Sequence, residues 1–405
     1  MYQLRDYQVQ NAQKGFEILN KLRIVYLKMA VRTGKTATAL EICKIANVKR
    51  VLFLTKKKAI SSVLNDYKNF AYTFDITVIN NESMHTLIGQ KFDIIIHDES
   101  HRFGSIPKPS TGAKMFKKMF SKTPLILLSG TPSPESYSQL YHQFWVSDYT
   151  PFKYVNFYKW AVDYVTVTQK QVGAFKVNDY TYANKEKIDS VIDKYCINYS
   201  QQDAGFESKV NEHIIEIEMH PQTSSLIYRL KKDKVIEGIN EVILADTGVK
   251  LMQKVHQLSS GTIKFESGNT FITDYSKATY IKENFATQKI AIIYKYKAER
   301  DMIIKSMGDK ITEDIEEFNN SDKWIIGQIT SIREGTNLSK ADSLVFLNID
   351  FSATSYFQCR DRMTTKDRLI NNVYFIFGYG GIEKQIFKAV QQKKNYTLSH
   401  FVRNS

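Results

Sequence analysis

The sequence predicts an α/β fold in which two parallel-sheet domains stand in tandem, with an insertion between them. Short apolar runs alternate with helical patterns near the start of the chain, and the same alternation returns near its end. Strands that are apolar along almost their whole length belong to sheets covered by helices on both faces. The chain has 405 residues, and a common domain has only about 150.

The apolar runs predict strands in two separate regions. In the first domain, 1–145, these runs lie at 23–29, 51–55, 76–79, 93–97 and 125–128, with helical patterns at 35–46 and 59–70. In the second domain, 246–405, they lie at 289–294, 324–330, 344–349 and 373–377. Each region is long enough to bury a core of its own.

The segment between the two domains, 146–245, has a different pattern. Aromatic and β-branched residues fill 149–182, which predicts an irregular or β-containing insertion, whereas 188–199 and 221–244 look helical. The aromatic residues of the insertion either stack on nucleic-acid bases or, as the simpler explanation, belong to a core: Tyr154, Phe157, Tyr158 and Trp160.

The composition excludes several classes of protein. The three cysteines, Cys43, Cys196 and Cys359, lie far apart, which argues against a disulfide framework and a clustered zinc site. No apolar run approaches the roughly 18 residues of a membrane span, and the first residues lack the apolar segment of a secretory signal. We therefore expect a soluble protein of a reducing cytoplasm that binds no membrane.

The charge of the chain favours a polyanionic partner, most simply nucleic acid. Lys and Arg number 56 against 42 Asp and Glu, which gives a formal net charge of +14. Most of the basic residues are lysines, however, and Asn, Ile, Tyr and Phe are abundant. An AT-rich coding sequence, as in a phage, produces the same bias, so composition alone leaves both explanations open.

A candidate phosphate-binding turn follows the first predicted strand. Residues 30–36 read AVRTGKT and lead directly into a helical pattern. Such a turn exposes backbone N–H groups at a helix N-terminus, where Lys35 can reach phosphates and the Thr36 hydroxyl can bind Mg²⁺. Met29 and Arg32 stand where the common pattern has glycines, and an ordinary strand-to-helix turn is the alternative.

Two adjacent carboxylates follow another predicted strand. The apolar run 93–97 leads into Asp98 and Glu99. At the C-terminal tip of a parallel strand, Asp98 can hold Mg²⁺ through water while Glu99 orients and deprotonates an attacking water. The alternative explanation is a solvated acidic loop. This explanation is less favoured because a TGKT turn precedes the pair in the sequence.

With these two motifs in order, the chain resembles the superfamily-two helicases and translocases, closest to the Swi/Snf-type branch and its small phage-like relatives. The resemblance extends over nearly the whole chain. Its motifs match the N-terminal glutamine segment (Leu4–Gln8), motif I (Lys35, Thr36), motif Ia (Thr55, Lys56), motif II in its DESH form (Asp98–His101), motif III (Ser129–Pro132), motif IV (Ile290–Tyr294), motif V (Ser331–Leu338) and motif VI (Gln358–Arg362).

The resemblance implies two RecA-like domains that hydrolyse ATP with Mg²⁺ in the cleft between them. It implies catalytic roles for Lys35, Glu99, Arg362 and Arg368, nucleotide binding by Arg5, Gln8, Thr33, Gly34, Lys35, Thr36 and Gly335, and a magnesium site at Thr36 and Asp98. It implies nucleic-acid contacts at Thr55, Lys56, Lys57, Thr330 and Ser331. For the lysines that follow Thr55, a solvated helix start is an equal alternative.

Motif VI departs from the family pattern. Gln358 and Arg362 fit it, but Thr365 stands where a second arginine is usual. Lys366 or Arg368 could supply the missing charge, and a guanidinium suits the charge that develops on a transferred phosphoryl group. A surface cluster of arginines is the alternative.

The predicted function is that of an ATP-dependent DNA helicase or translocase that acts without sequence specificity on single- or double-stranded DNA. Replication or recombination proteins are possible partners. The alternatives are an ATP-gated nucleic-acid clamp without productive turnover, favoured by the altered turn and Thr365, and an RNA helicase.

Overall fold

The computed structural model describes residues 2–172, 175–205, 209–333, 336–365, 368–392 and 395–403. The chain divides into two compact units, Met1–Gly205 (unit 1) and Phe206–Ser405 (unit 2). The segment 146–245 contributes to both units. In the described part of the chain, no helix is both long enough and apolar enough to cross a membrane.

Unit 1 is built around one sheet with helices on both faces. Its helices are α1 (Asp6–Leu22), α2 (Lys35–Ile45), α3 (Ile60–Asn69), α4 (Thr111–Phe120), α5 (Leu140–Trp145), α6 (Phe157–Tyr164) and α7 (Lys185–Ile192). Its strands are β1 (Ile24–Met29), β2 (Arg50–Thr55), β3 (Asp75–Asn80), β4 (Ile94–His97), β5 (Leu125–Leu128), β6 (Thr168–Val172), β7 (Phe175–Asp179) and β8 (Cys196–Tyr199).

The main sheet of unit 1 is parallel throughout, in the order β3-β2-β4-β5-β1-β8. Alternate residues of the strands enter two cores. Val25 and Leu27 of β1 join the core that α1, α2 and α3 cover, whereas Ile24 and Tyr26 join the core that α4 to α7 cover. The predicted α/β fold is confirmed, and the ends of β1, β2, β4 and β5 meet at one edge of the sheet.

The helical prediction for 188–199 is wrong in its second half. Helix α7 ends at Ile192, and Cys196–Tyr199 form β8, which pairs with β1. The prediction of β structure within 149–182 is confirmed by the hairpin of β6 and β7, which α6 precedes. Phe157 and Trp160 are buried core residues, so the core explanation holds for both.

Unit 2 repeats this architecture. Its helices are α8 (Pro221–Asp233), α9 (Gly248–Ser259), α10 (Ser276–Asn284), α11 (Lys297–Met307), α12 (Ile315–Asn320), α13 (Ile329–Ile332), α14 (Ala353–Arg360), α15 (Glu383–Gln391) and α16 (Leu398–Arg403). Its strands are β9 (Lys209–Ile217), β10 (Val235–Glu237), β11 (Val242–Leu244), β12 (Thr262–Lys264), β13 (Thr270–Ile272), β14 (Ile290–Tyr294), β15 (Ile311–Thr312), β16 (Trp324–Gln328), β17 (Ser343–Phe346) and β18 (Ile370–Gly378).

The main sheet of unit 2 is also parallel, in the order β15-β16-β14-β17-β18-β9. The edge strand β9 pairs with β18 along its whole length, although its polar sequence did not predict a strand. The helix predicted over 221–244 is wrong beyond Asp233. Lys234 takes a left-handed φ of 63°, which ends α8, and an antiparallel hairpin of β10 and β11 follows.

A buried ion pair links two helices of unit 2. The side chains of Lys277 in α10 and Glu383 in α15 are 1% and 0% exposed, and they contact each other directly. Lys277 also donates to the Leu347 carbonyl at 3.0 Å, and the Gly378 N–H donates to Glu383 at 3.0 Å. Burial raises the pKa of Glu383 to about 7, although the charge of Lys277 opposes the rise.

We expect Lys277→Met to lower the free energy of unfolding by about 3–5 kcal/mol, because a buried carboxylate then lacks its cation. Urea unfolding of the full chain measures the change. The matched control is Lys282→Met, an exposed lysine of the same helix, which should change the value by less than about 0.5 kcal/mol. Equal stability of the two variants would contradict a structural role for the pair.

Candidate active site

The turn that follows β1 is closed by its own hydrogen bonds. The hydroxyl of the fully buried Thr33 donates to the Ala30 carbonyl at 2.8 Å. Gly34 has a left-handed φ of 80°, and α2 begins at the next residue, Lys35. Thr36 is half-buried in the first turn of that helix. The turn thus brings the N-terminus of α2 to the C-terminal edge of the sheet, the arrangement that binds phosphates in other proteins.

Arg32 takes a backbone conformation that glycine adopts readily and other residues rarely do. Its φ is 65°, in the left-handed region that costs an L-residue about 1–2 kcal/mol.

The Lys35 ammonium lies at the edge where the strands end. It donates to the Ala30 carbonyl at 3.1 Å. A Cβ built on Gly130, in the loop after β5, would lie 3.6 Å from Lys35 Nζ. Gly130 and the turn that follows β1 are thus neighbours.

Gln8 holds the N-terminal segment against the same turn. Its side chain is buried, and Oε1 accepts a hydrogen bond from the Arg5 N–H at 2.8 Å. A Cβ on Gly34 would lie only 1.8 Å from Gln8 Nε2, so any other residue there would displace the Gln8 amide and would also be strained at the left-handed φ. Arg5 is exposed, and its guanidinium donates to the Tyr7 hydroxyl at 3.1 Å.

Asp98 stands directly after β4 with both carboxylate oxygens engaged. The Thr55 hydroxyl donates to Oδ2 at 2.9 Å, and the Glu99 N–H donates to Oδ1 at 2.9 Å. Burial, and then the charge of Glu99, raises the pKa of Asp98 to about 6, while Lys35 and the hydroxyl of Thr55 oppose the rise. The carboxyl is therefore ionised at neutral pH and takes up a proton as the pH falls through about 6.

Glu99 lies between two basic side chains. Its φ of 51° is left-handed. Its Oε1 is 3.8 Å from Lys56 Nζ, and its Oε2 is 3.3 Å from His101 Nδ1. The carboxylate is about one-fifth exposed, which leaves it accessible to a water molecule while its neighbours restrict its position.

A chain of polar contacts joins the acidic pair to the loop after β5. His101 Nδ1 is 3.2 Å from the Ser129 hydroxyl, which accepts a hydrogen bond from the Thr131 N–H at 3.1 Å. The buried Ser100 hydroxyl donates to the His97 carbonyl at 2.8 Å and accepts from the Leu128 N–H at 2.9 Å. The DESH segment therefore ties the ends of β4 and β5 together.

The residues of unit 1 that were expected to contact nucleic acid differ in their surroundings. Thr55 is fully buried against Asp98, so it belongs with the carboxylates rather than with an exposed surface. Lys56 is largely covered and lies near Glu99. Lys57 is exposed at the start of a short 3₁₀ helix. Of the three, Lys57 is accessible to a strand of nucleic acid.

The expected arginines of unit 2 lie near the end of α14. The Arg362 guanidinium donates to the Arg333 carbonyl, and Arg333 donates to the Ser355 hydroxyl. Arg368 is half-buried, and its N–H donates to the Thr365 carbonyl at 3.4 Å.

Two further expected residues of unit 2 lie on α13. The strand predicted over 324–330 ends at Gln328, so Thr330 and Ser331 stand on this short helix, Thr330 exposed and Ser331 half-buried. Gly335 and Lys366 lie outside the described residues.

No family model and no curated protein sequence matches this chain. Solved structures do: the SWI2/SNF2 ATPase core of Sulfolobus solfataricus in complex with double-stranded DNA is 15% identical over 96% of this chain and 91% of that chain, with a TM-score of 0.44. The chain is similar to this ATPase core. The core domain without DNA gives 14% identity over 97% of this chain and 89% of that chain, with a TM-score of 0.43.

Three polar residues beside the expected site residues were assigned no role from the sequence: Asn81, His97 and Arg333. The Asn81 Oδ1 atom lies 2.9 Å from His97 Nε2, and the Asn81 amide donates to the Thr55 carbonyl at 3.1 Å. Burial lowers the pKa of His97 to about 3, so this ring is neutral. The third residue is Arg333, whose carbonyl accepts a hydrogen bond from Arg362. Its position within the motif V segment 331–338 could have identified it from the sequence.

Proposed function

We propose that the chain is an ATPase of the Swi/Snf type that moves along or remodels DNA. The observation that carries the proposal is the meeting of Lys35, Asp98 and Glu99 at one edge of the unit 1 sheet, within a connected polar network. A phosphate-binding turn supplies the cation, and the strand beside it supplies the two carboxylates. This set of groups suits phosphoryl transfer to water.

The turn and its lysine are the proposed phosphate site. Backbone N–H groups at the start of α2 would face the β- and γ-phosphates, and Lys35 would pair with them. Gln8, packed on Gly34, would read the adenine beside the turn. Arg5, Thr33 and Thr36 complete this proposed nucleotide site.

The residues present fit a magnesium ion. Thr36 offers a hydroxyl and Asp98 a carboxylate that is ionised at neutral pH, and these are the oxygen donors that Mg²⁺ prefers. When bound, the ion would neutralise charge on the phosphates. Thr55 holds the Asp98 carboxylate in place for this role through its hydroxyl.

Glu99 is the proposed general base. Its carboxylate would accept a proton from the attacking water, with Lys56 and His101 fixing its position. Because His101 also contacts Ser129, a change at the nucleotide would be transmitted through His101 to the loop after β5.

Arg362 and Arg368 are the residues of unit 2 proposed to stabilise the negative charge of the transferred phosphoryl group. A guanidinium that approaches the γ-phosphoryl group only during turnover stabilises the transition state without adding to ground-state affinity. Lys57, Thr330 and Ser331 are the proposed contacts to DNA phosphates.

We expect Arg362→Ala to lower ATP turnover by about 10³-fold or more, the worth of an arginine finger, with a much smaller loss of ATP affinity. Single-turnover hydrolysis and equilibrium ATP binding separate the two effects. The control is Arg229→Ala, an exposed arginine of α8, which should leave both unchanged. Equal losses of turnover and affinity would mean a ground-state contact instead.

The choice of nucleic acid is tested by competition. Duplex DNA and duplex RNA of equal length and sequence are compared as activators of phosphate release, and each is then used to displace labelled duplex DNA. The proposal expects DNA to be the better activator. Stronger activation by RNA would contradict the proposal and indicate an RNA helicase instead.

A further inference from the structure

An open apolar groove lies on unit 1 between α4 and the segment 85–91, and none of its lining residues belongs to the proposed ATP site. The groove has a volume of about 640 Å³. Its floor consists of apolar side chains: Leu87, Ile88, Met115, Met119 and Phe120. Leu87 and Phe120 belong to the core beneath, while Met115 and Met119 are only partly covered.

One apolar residue of the floor is exposed to solvent. Ile88 is 75% exposed, although it continues the apolar floor. Single exposed apolar residues are common on proteins, but Ile88 lines the same groove as two methionines, whose flexible side chains adapt to varied partners. The floor can therefore accept apolar side chains of more than one shape.

The rim of the groove is basic. Lys91, Lys114 and Lys118 are exposed, and the lining residues that the structure describes include no carboxylate. Among the described residues, these three lysines form no ion pair. Lys117, which points elsewhere on the same helix, does have partners, since it donates to the Trp145 carbonyl at 2.6 Å and lies 3.9 Å from Asp148.

We propose that this groove binds an acidic amphipathic segment of a partner protein, whose apolar side chains enter the floor while its carboxylates pair with the lysine rim. Lys114 and Lys118 lie one helical turn apart on α4 and would pair with acidic residues on one flank of such a segment. Lys91 would pair with the other flank. Helix-in-groove recognition uses this combination of apolar anchors and flanking charge.

Two other occupants fit less well. A nucleic-acid strand would match the charge of the rim, but its bases stack on exposed aromatic side chains, and Phe120 of the floor is only 3% exposed. A second copy of this chain carries a net charge of +14, so its approach to a basic rim would be opposed by the repulsion of like charges. An acidic partner satisfies both the floor and the rim, and the inference does not depend on the proposed ATPase activity.

The test selects peptides from a displayed library of helical sequences against the full chain. The proposal expects enriched sequences in which Asp or Glu flank Leu or Phe at helical spacing. Each enriched peptide is then synthesised with a fluorophore, and its affinity is measured by anisotropy for the wild type and for variants. A twin peptide with Lys in place of the acidic residues should bind at least tenfold more weakly.

The variants locate the binding. Lys114→Glu with Lys118→Glu, and separately Ile88→Ser, should weaken the acidic peptide by tenfold or more. Lys282→Glu with Lys305→Glu is the matched control, because it makes the same change in net charge at exposed lysines of unit 2. Circular dichroism confirms that each variant is folded.

Three outcomes would overturn the proposal. These are a selection that yields no acidic amphipathic peptide, a peptide that binds the Lys114 and Lys118 variant as tightly as the wild type, and equal losses in the groove variant and the control. If labelled duplex DNA loses affinity for the groove variant while the peptide does not, the rim is a nucleic-acid surface.

Discussion

Lys35→Ala is expected to reduce ATP turnover by at least about 100-fold, the cost of removing one preorganised charge-stabilising donor. The loss follows from position, since the Lys35 ammonium lies at the sheet edge beside Gly130 and close enough to Asp98 to affect its pKa. ATP affinity should fall as well, because this lysine pairs with phosphates in the ground state. Steady-state phosphate release and equilibrium binding of a fluorescent ATP analogue measure the two effects.

The control for this change is Lys44→Ala, at the other end of the same helix. Lys44 is exposed and pairs with Glu41 at 3.1 Å, and such a surface pair contributes little. Both variants should keep the fold and the unfolding midpoint of the wild type. Near-normal turnover by Lys35→Ala would remove the phosphate-binding turn from the mechanism.

Glu99→Gln should bind ATP with nearly unchanged affinity and hydrolyse it about 10²–10⁴-fold more slowly, the usual contribution of a general base. The amide keeps the size of the side chain but cannot accept the proton of the attacking water. Hydrolysis in a single turnover, with ATP prebound, measures the chemical step alone.

Glu82→Gln is the matched control for the base, because Glu82 is an exposed carboxylate of the same unit that pairs with Arg102 at 3.0 Å. Its turnover should equal that of the wild type. Retained hydrolysis by Glu99→Gln would assign the base to another group or to the substrate itself.

The sequence predicts the centres of both sheets and the residues at their edge. β1, β4 and β5 are almost wholly apolar because both of their faces are covered. Such strands can be recognised from the local sequence without knowing which strands lie beside them. In a parallel sheet the segments that follow such strands must meet at one edge. Lys35 and Asp98, distant in sequence, could therefore be placed together.

Edge strands and long-range polar contacts could not be predicted in this way. β9 is a nine-residue edge strand whose side chains are mostly polar and are all at least partly exposed. The roles of Thr55 and Asn81 depend on contacts with Asp98 and His97, which no local pattern encodes. Thr55 accordingly proved to be buried beside a carboxylate, where the family resemblance implied a nucleic-acid contact.

The most direct test of a DNA-driven ATPase is steady-state phosphate release by the wild type with and without duplex DNA, over a range of salt concentrations. We predict a rate that rises severalfold with saturating DNA, with a half-saturating DNA concentration that increases steeply with salt because phosphate contacts dominate binding. A rate that does not change with DNA, in a protein that demonstrably binds both ATP and DNA, would contradict the account and leave a nucleotide-gated clamp.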